Sequence, residues 1–225
     1  MTSVHDSSSA TCATSSPYRR NRCAHGTHEV LLRQVPAATT VLDVGCSTGY
    51  LGEALRARNC RVWGVDRDAA AVAEAKASYE GVCVVDLDEC DELPWPERSF
   101  DVVLCGDVIE HLRDPARALR LVRRYVSPGG RLVLSVPNVA HVSVRLPLLV
   151  GRFEYRRSGI LDETHLRLFT FRTARTLVES SGFAIDRVLG GSDHFGALLE
   201  RFGAAACIVR GLLAYNIIVV ARVAK

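Results

Sequence analysis

The chain has 225 residues, 48% hydrophobic and 24% charged, with a formal net charge of +3. That length holds one domain with a substantial core, and the composition sets aside disordered, collagen-like and multi-span membrane proteins. The charge is too small to argue for nucleic acid.

Eight cysteines occur without a CxxC pair, and several sit in apolar runs, where a free thiol behaves as a small hydrophobe. This usage fits a reducing compartment, so a cytoplasmic location is expected. The opening MTSVHDSSSATCATSS lacks the apolar segment of a secretory signal, and residues 1–27 read as a disordered tail before a domain over 28–225. In CAHGTH (23–28), Cys23, His25 and His28 lie close together, but no second ligand pair stands at zinc-finger spacing. The segment reads as a flexible entry to the first helix.

Short β-branched runs then alternate with helical patterns. The runs are TVLDV (40–44), RVWGV (61–65), VCVV (82–85), DVVLC (101–105) and RLVLSV (131–136). Continuous apolar runs of this length suit strands buried on both faces, as in a parallel sheet. Crossover helices are expected over 50–58, 69–79 and 114–126. The third has Asp114 as N-cap, Pro115 at its first position, an apolar face through Leu119, Val122 and Val126, and Pro128-Gly129-Gly130 as its stop. Trp63 and Phe100 read as core residues, and Trp95, between two prolines, as shaping a loop near the ligand.

After residue 136 the rhythm changes. Residues 137–170 carry few strand signals and read as a lid, and TFRTARTLVESSG reads as a helix closed by Gly182. Strands follow at 183–189 and 215–223, with a helix between them. The apolar AAACIVRGLLAYNIIVVARVA has Arg210 in its middle, followed by Gly211 and Asn216, so it reads as a buried helix and a strand, not as a membrane span. The βαβ alternation predicts a doubly wound α/β sheet with its ligand at the strand C-termini.

VLDVGCSTGYLG (41–52) is the strongest local signal. A glycine-bearing turn between strand and helix lets a ligand approach the backbone, next to unpaired N–H groups of the helix. The dinucleotide pattern GxGxxG would need glycine at 47 and 50, where Ser47 and Tyr50 stand, and no P-loop occurs. Asp66 ends the second strand, 23 residues after Asp43, where a carboxylate can accept from both hydroxyls of a ribose. Asp86 follows the third strand, within reach of an adenine amino group. Asp43 brings negative charge to the crevice, which suits a cationic ligand.

With VLDVGCSTG, GVDRD, VVDLDE, LPWPERSFDVVLCGDVIEHLRDP and VSPGGRLVLSVPN in this order, the chain resembles the class I S-adenosylmethionine-dependent methyltransferases of the type 11/23 group over about residues 28–223. The resemblance implies a Rossmann-like three-layer α/β sandwich, its seven-stranded sheet mostly parallel with an antiparallel last strand. It implies S-adenosylmethionine as cofactor. It places Asp43, Gly45, Cys46, Ser47 and Gly49 in the first loop, Asp66 and Arg67 at the ribose, Asp86 and Leu87 at the adenine, and Cys105, Gly106 and Asp107 after the fourth strand. Ser47 departs from the family's frequent glycine, which narrows the allowed backbone without forbidding the turn. Residues 135–183 also resemble methionine-biosynthesis W-type proteins and methyltransferases of polysaccharide and natural-product pathways.

Methyl transfer is an in-line displacement, so the protein supplies alignment, plus a base when the acceptor is a hydroxyl. His111 in DVIEHL is the candidate base, against a structural or cap role. His165 pairs with Asp162 at helical spacing, against a role as a lid hinge; His141 is the other histidine of the region. In small-RNA 3′-terminal methyltransferases an ExxEH motif and a distant histidine bind a divalent metal, and Asp107, Glu110, His111 and His165 correspond to that set. EHL also stands in many methyltransferases for which no metal is implied, and Asp replaces the first Glu, so no metal is assigned. Residues 141–175 hold seven arginines against three acids, which suits a phosphate- or carboxylate-bearing acceptor or a solvated surface.

The expected activity is methyl transfer to an oxygen or nitrogen of a small-molecule acceptor, acidic or sugar-linked. No specific nucleic acid and no membrane span are expected, and a homodimer is the candidate assembly. The alternatives are a methyltransferase-like partner of an acyltransferase in methionine biosynthesis, or a dehydrogenase or epimerase that the failed fingerprint argues against.

Overall fold

In a computed structural model of the protein, which describes residues 26–191 and 211–224, the alternating runs close into one seven-stranded sheet. Its strands are β1 (Thr40–Val44), β2 (Arg61–Asp66), β3 (Gly81–Val84), β4 (Phe100–Gly106), β5 (Val126–Pro137), β6 (Phe183–Gly191) and β7 (Asn216–Val223), in the order β3-β2-β1-β4-β5-β7-β6. The first five pair in parallel, and β7 runs antiparallel between β5 and β6. Val41, Leu42, Asp43 and Val44 are all buried, as befits a strand covered on both faces.

Two hydrophobic layers cover the sheet. On one face, α1 (Thr27–Gln34), α2 (Tyr50–Arg56) and α3 (Ala69–Ala75) contribute Leu31, Leu32, Leu51, Leu55 and Ala75. On the other, α4 (Pro115–Arg123) and a later helix, Phe171–Ser180, contribute Leu119, Val122, Ala174 and Val178. Burying such side chains, at about 1.5–3 kcal/mol each for Leu and Val, drives the three layers together. Trp63 and Phe100 meet edge to face at 5.6 Å in this core. Trp95 also packs on Phe100, at 5.9 Å, and does not border the cavity described below.

Helix punctuation follows local chemistry, with three departures from the sequence reading. Asp114 caps α4 by accepting from the Arg117 N–H, but the helix ends at Arg123. Val126 already pairs with Phe100, so Pro128-Gly129-Gly130 lies inside β5, where Gly129 takes φ +83° opposite a register shift. α3 also stops early, passing into a 3-10 turn at Lys76–Ser78. α5 (Val142–Leu149) was not expected at all: it carries Pro147 and leaves Leu149 81% exposed, so it offers no amphipathic period to read. The Phe171–Ser180 helix, α6, starts at a Thr170–Thr173 capping box and is followed by Gly182 at φ +87°.

The expected tail over residues 1–25, with Cys23 and His25, and the body of the helix expected between β6 and β7 lie outside the described residues. Among the described residues the five cysteines are free, and no helix is long and apolar enough to cross a membrane.

Candidate active site

The strand order reverses between β1 and β4, and loops leaving those two C-termini in opposite directions open a crevice there. A cavity of about 480 Å³ fills it. The loop after β1 turns through three left-handed residues, Gly45 (φ +74°), Ser47 (φ +47°) and Gly49 (φ +90°), and lines the cavity with the first two. Ser47 thus adopts the turn usually given to glycine. Its N–H donates to Asp66 Oδ2 at 2.8 Å, while the Asp68 N–H donates to Asp66 Oδ1 at 2.9 Å. Both carboxylate oxygens are oriented by backbone, and each keeps a lone pair for a ligand.

At Gly45 a Cβ would stand 2.2 Å from Val108 Cγ2, in a backbone region that L residues avoid. Gly45→Ala is expected to destabilise the fold by about 2–3 kcal/mol, with partial recovery in a Gly45→Ala/Val108→Ala double variant. Denaturant midpoints of the four proteins check this; equal losses with and without Val108 would refute the steric account.

Asp86 and Leu87 line the cavity beyond β3, and Gly106 and Asp107 beyond β4. Asp107 takes φ +52°, and its Oδ1 accepts from Ser135 Oγ (2.7 Å) and Asn216 Nδ2 (2.8 Å). Asp43, Cys46, Gly49 and Cys105 lie outside the lining. Asp43 is buried beneath the loop, where Tyr79 donates to its Oδ2 at 2.6 Å; burial, and then the Asp66 charge, raise its carboxyl to about 7 against that hydrogen bond. Cys46 and Cys105 are buried core residues whose thiols burial pushes far up.

Opposite the Asp66 side, a 3-10 turn at Ile109–His111 brings a polar cluster to the cavity. Glu110 is fully buried, and neither carboxylate oxygen has a hydrogen-bond partner. Burial first, then the charges of Asp107 and Asp162, hold its carboxyl well above the usual range. Its backbone carbonyl accepts from the Leu166 and Arg167 N–H groups at 2.8 and 3.0 Å, docking the 159–167 segment onto the turn. His111 and His165 stack edge to face at 4.7 Å. Their Nδ1 atoms lie 3.2 Å from the Thr164 carbonyl and 3.0 Å from the Ile160 carbonyl. A carbonyl only accepts, so each Nδ1 carries the proton and each Nε2 keeps its lone pair. Burial, and next the neighbouring His165, hold His111 below the ordinary imidazole range.

Asp162 does not pair with His165 directly. Its Oδ1 accepts from Thr164 N–H (2.8 Å) and Thr164 Oγ1 (2.6 Å), which shapes the turn carrying His165. His141 is an N-cap, accepting from the Ser143 N–H at 3.1 Å. The seven arginines of 141–175 are all exposed, and none lines the cavity. Other lining residues were not singled out for the site: His28 and Tyr50, with ring centroids 5.1 Å apart, and Tyr215 and Asn216. The last pair start the antiparallel strand, whose N-terminus lies among the C-termini of the parallel ones; a polar YN before an apolar run was the signal available.

Carboxylates after β2 and β3 and a close backbone approach at Gly45 shape the crevice of a Rossmann-like protein. Residues 17–188 match the family model described as a methyltransferase domain. The chain is 33% identical over 166 residues, 72% of its length and 60% of the relative's, to a Mycolicibacterium smegmatis protein named a probable S-adenosylmethionine-dependent methyltransferase. It is 39% identical over 109 residues, 45% of its length and 46% of the relative's, to a ubiquinone biosynthesis O-methyltransferase of Pseudomonas paraeruginosa. The fold matches an S-adenosylmethionine-dependent methyltransferase of Mesorhizobium loti with a TM-score of 0.61 at 21% identity, over 88% of this chain and 98% of that one. The chain belongs to the methyltransferase-domain family, as a class I protein whose cofactor is S-adenosylmethionine. It spans 60% and 46% of the two curated relatives' lengths.

Proposed function

We propose that this chain transfers the methyl group of S-adenosylmethionine to a hydroxyl oxygen of a small-molecule acceptor. The donor would lie along the ends of β1, β2 and β3, its ribose on Asp66 and its adenine beside Asp86 and Leu87. Residues 137–170 would act as the lid, since Gly159, Asp162, Thr164 and His165 border the same cavity. Oxygen is preferred to nitrogen because of one observation: two imidazoles with free Nε2 lone pairs, beside a buried carboxylate, border the donor cavity. Such a cluster takes up the proton that a hydroxyl must lose. The relative named as an O-methyltransferase supports the same choice. The arginine-rich lid supports an acidic or sugar-linked acceptor only through its exterior.

Methyl-labelled S-adenosylmethionine offered with phenols, hydroxy acids and nucleotide sugars tests this reading. Label is expected on an oxygen of one of these acceptors, with S-adenosylhomocysteine released in equal amount. Transfer to amines alone would overturn the oxygen assignment.

A further inference from the structure

Six of the ten exposed large apolar side chains among the described residues fall within residues 146–155: Leu146, Leu148, Leu149, Val150, Phe153 and Tyr155. None belongs to either hydrophobic layer of the core, and none borders the donor cavity. Packing of the fold therefore does not account for them. They nonetheless form an ordered surface. His141 caps α5, and beyond Leu149 the Val150, Gly151 and Arg152 N–H groups donate to the Pro147 and Leu148 carbonyls at 3.0–3.1 Å. Phe153 and Tyr155 meet edge to face at 5.7 Å. The Arg156 backbone ties the far end to Leu161 and Glu163, at 2.8 Å each.

Arginines frame this apolar surface. Arg145, Arg152, Arg156 and Arg157 are all exposed, with Glu154 as the one acid of residues 145–157. None of the four pairs with an acid among the described residues. Leucine, valine and aromatic side chains bordered by arginine match the interface of a bilayer with anionic headgroups: the apolar groups enter the acyl boundary, and the guanidiniums stay at the phosphates. A second copy of the chain fits less well, since a twofold contact would set these arginines against their own copies. A globular partner also fits less well. Side chains as exposed as Leu149 (81%) and Val150 (73%) stand out from the surface, and leucine and valine are scarce among the residues that dominate protein–protein contacts.

We infer that the surface made by the C-terminal half of α5 and residues 150–157 docks this protein on anionic lipid bilayers. Such a surface lies on a membrane and does not cross it, in keeping with the lack of any described helix long and apolar enough to span one.

Flotation of the full chain with lipid vesicles tests this. Vesicles of phosphatidylglycerol and phosphatidylcholine in equal parts are expected to bind it at least about tenfold more strongly than phosphatidylcholine alone, since each arginine contributes about fivefold at an anionic surface. Raising the salt from about 0.05 to about 0.5 M should weaken that binding. Two double variants, Leu149→Ser/Val150→Ser and Arg152→Gln/Arg156→Gln, should each lower vesicle affinity by at least about tenfold. Their melting temperatures and their affinity for S-adenosylhomocysteine should equal those of the wild type, because the replaced side chains are exposed and outside the cavity. Binding to neither vesicle, equal binding to both, or unchanged binding in either variant overturns the inference. A dimer in sedimentation that Leu149→Ser/Val150→Ser dissolves, in a protein that ignores both vesicles, gives the surface to a second copy instead.

Discussion

Asp66→Ala weakens S-adenosylhomocysteine binding by at least about 100-fold, while Asp66→Asn loses less. A carboxylate holding two ribose hydroxyls makes two charge-assisted hydrogen bonds, each of about 1.5–3 kcal/mol, so losing both exceeds about 3 kcal/mol. Asp66 also accepts from the Ser47 and Asp68 N–H groups, so alanine loosens the loop that carries the donor. Asparagine keeps one acceptor. Calorimetric titration of the three proteins checks the order, and a dideoxyribose analogue of the ligand separates the two causes. In the wild type that analogue loses the ribose share of affinity; in Asp66→Ala it loses nothing further. An analogue penalty of equal size in both proteins would show that Asp66 acts on the loop and not on the ribose.

That Asp66 and Asp86 border the cavity was legible in the sequence because a carboxylate closing an apolar strand has few structural uses. Gly45 was legible because a turn after β1 needs a left-handed residue. Alternation along the strands hid more. Cys105 was read into the site beside Gly106 and Asp107, yet successive side chains point to opposite faces, and Cys105 points into the core. Asp43 was read as crevice charge for the same reason, and packing puts it under Tyr79. Glu110 shows a different limit. A sequence displays a carboxylate but not its lack of hydrogen-bond donors, which here comes from how the turn after β4, Asp107 and the 159–167 segment close around it. The two histidines likewise stand 54 residues apart, and only docking of the lid on the Glu110 carbonyl brings their rings to 4.7 Å. α5 shows the converse: its leucines, Leu146, Leu148 and Leu149, face outward and only Val144 is buried, so no burial pattern could announce it.

Asp43 makes the wild-type protein lose stability as pH rises from about 4 to above 7, and Asp43→Asn removes that share of the pH dependence. The Asp43 carboxyl titrates near 7 in the folded chain, against about 3.9 when unfolded. Between those values the native state holds a proton that the unfolded chain has released. Stability therefore falls with rising pH: the favourable contribution is complete below about 4 and is lost as pH passes through 7. A difference of this size amounts to about 4 kcal/mol at pH 8. The fold accepts it through Tyr79, whose ring occupies space kept open by Gly52 and Gly64: a Cβ would come within 2.5 Å of the ring at Gly52 and 3.1 Å at Gly64. Burial, followed by the Asp43 charge, pushes the Tyr79 phenol upward, so it stays a donor across this range. Asparagine offers the phenol a carbonyl oxygen in place of the carboxylate and carries no charge. Thermal unfolding at pH 5 should put wild type and Asp43→Asn within a few degrees of each other. At pH 8 the variant should melt about 10 °C higher. Parallel pH profiles for the two proteins would mean that Asp43 ionises at its ordinary pKa, and that water reaches the floor of the donor loop.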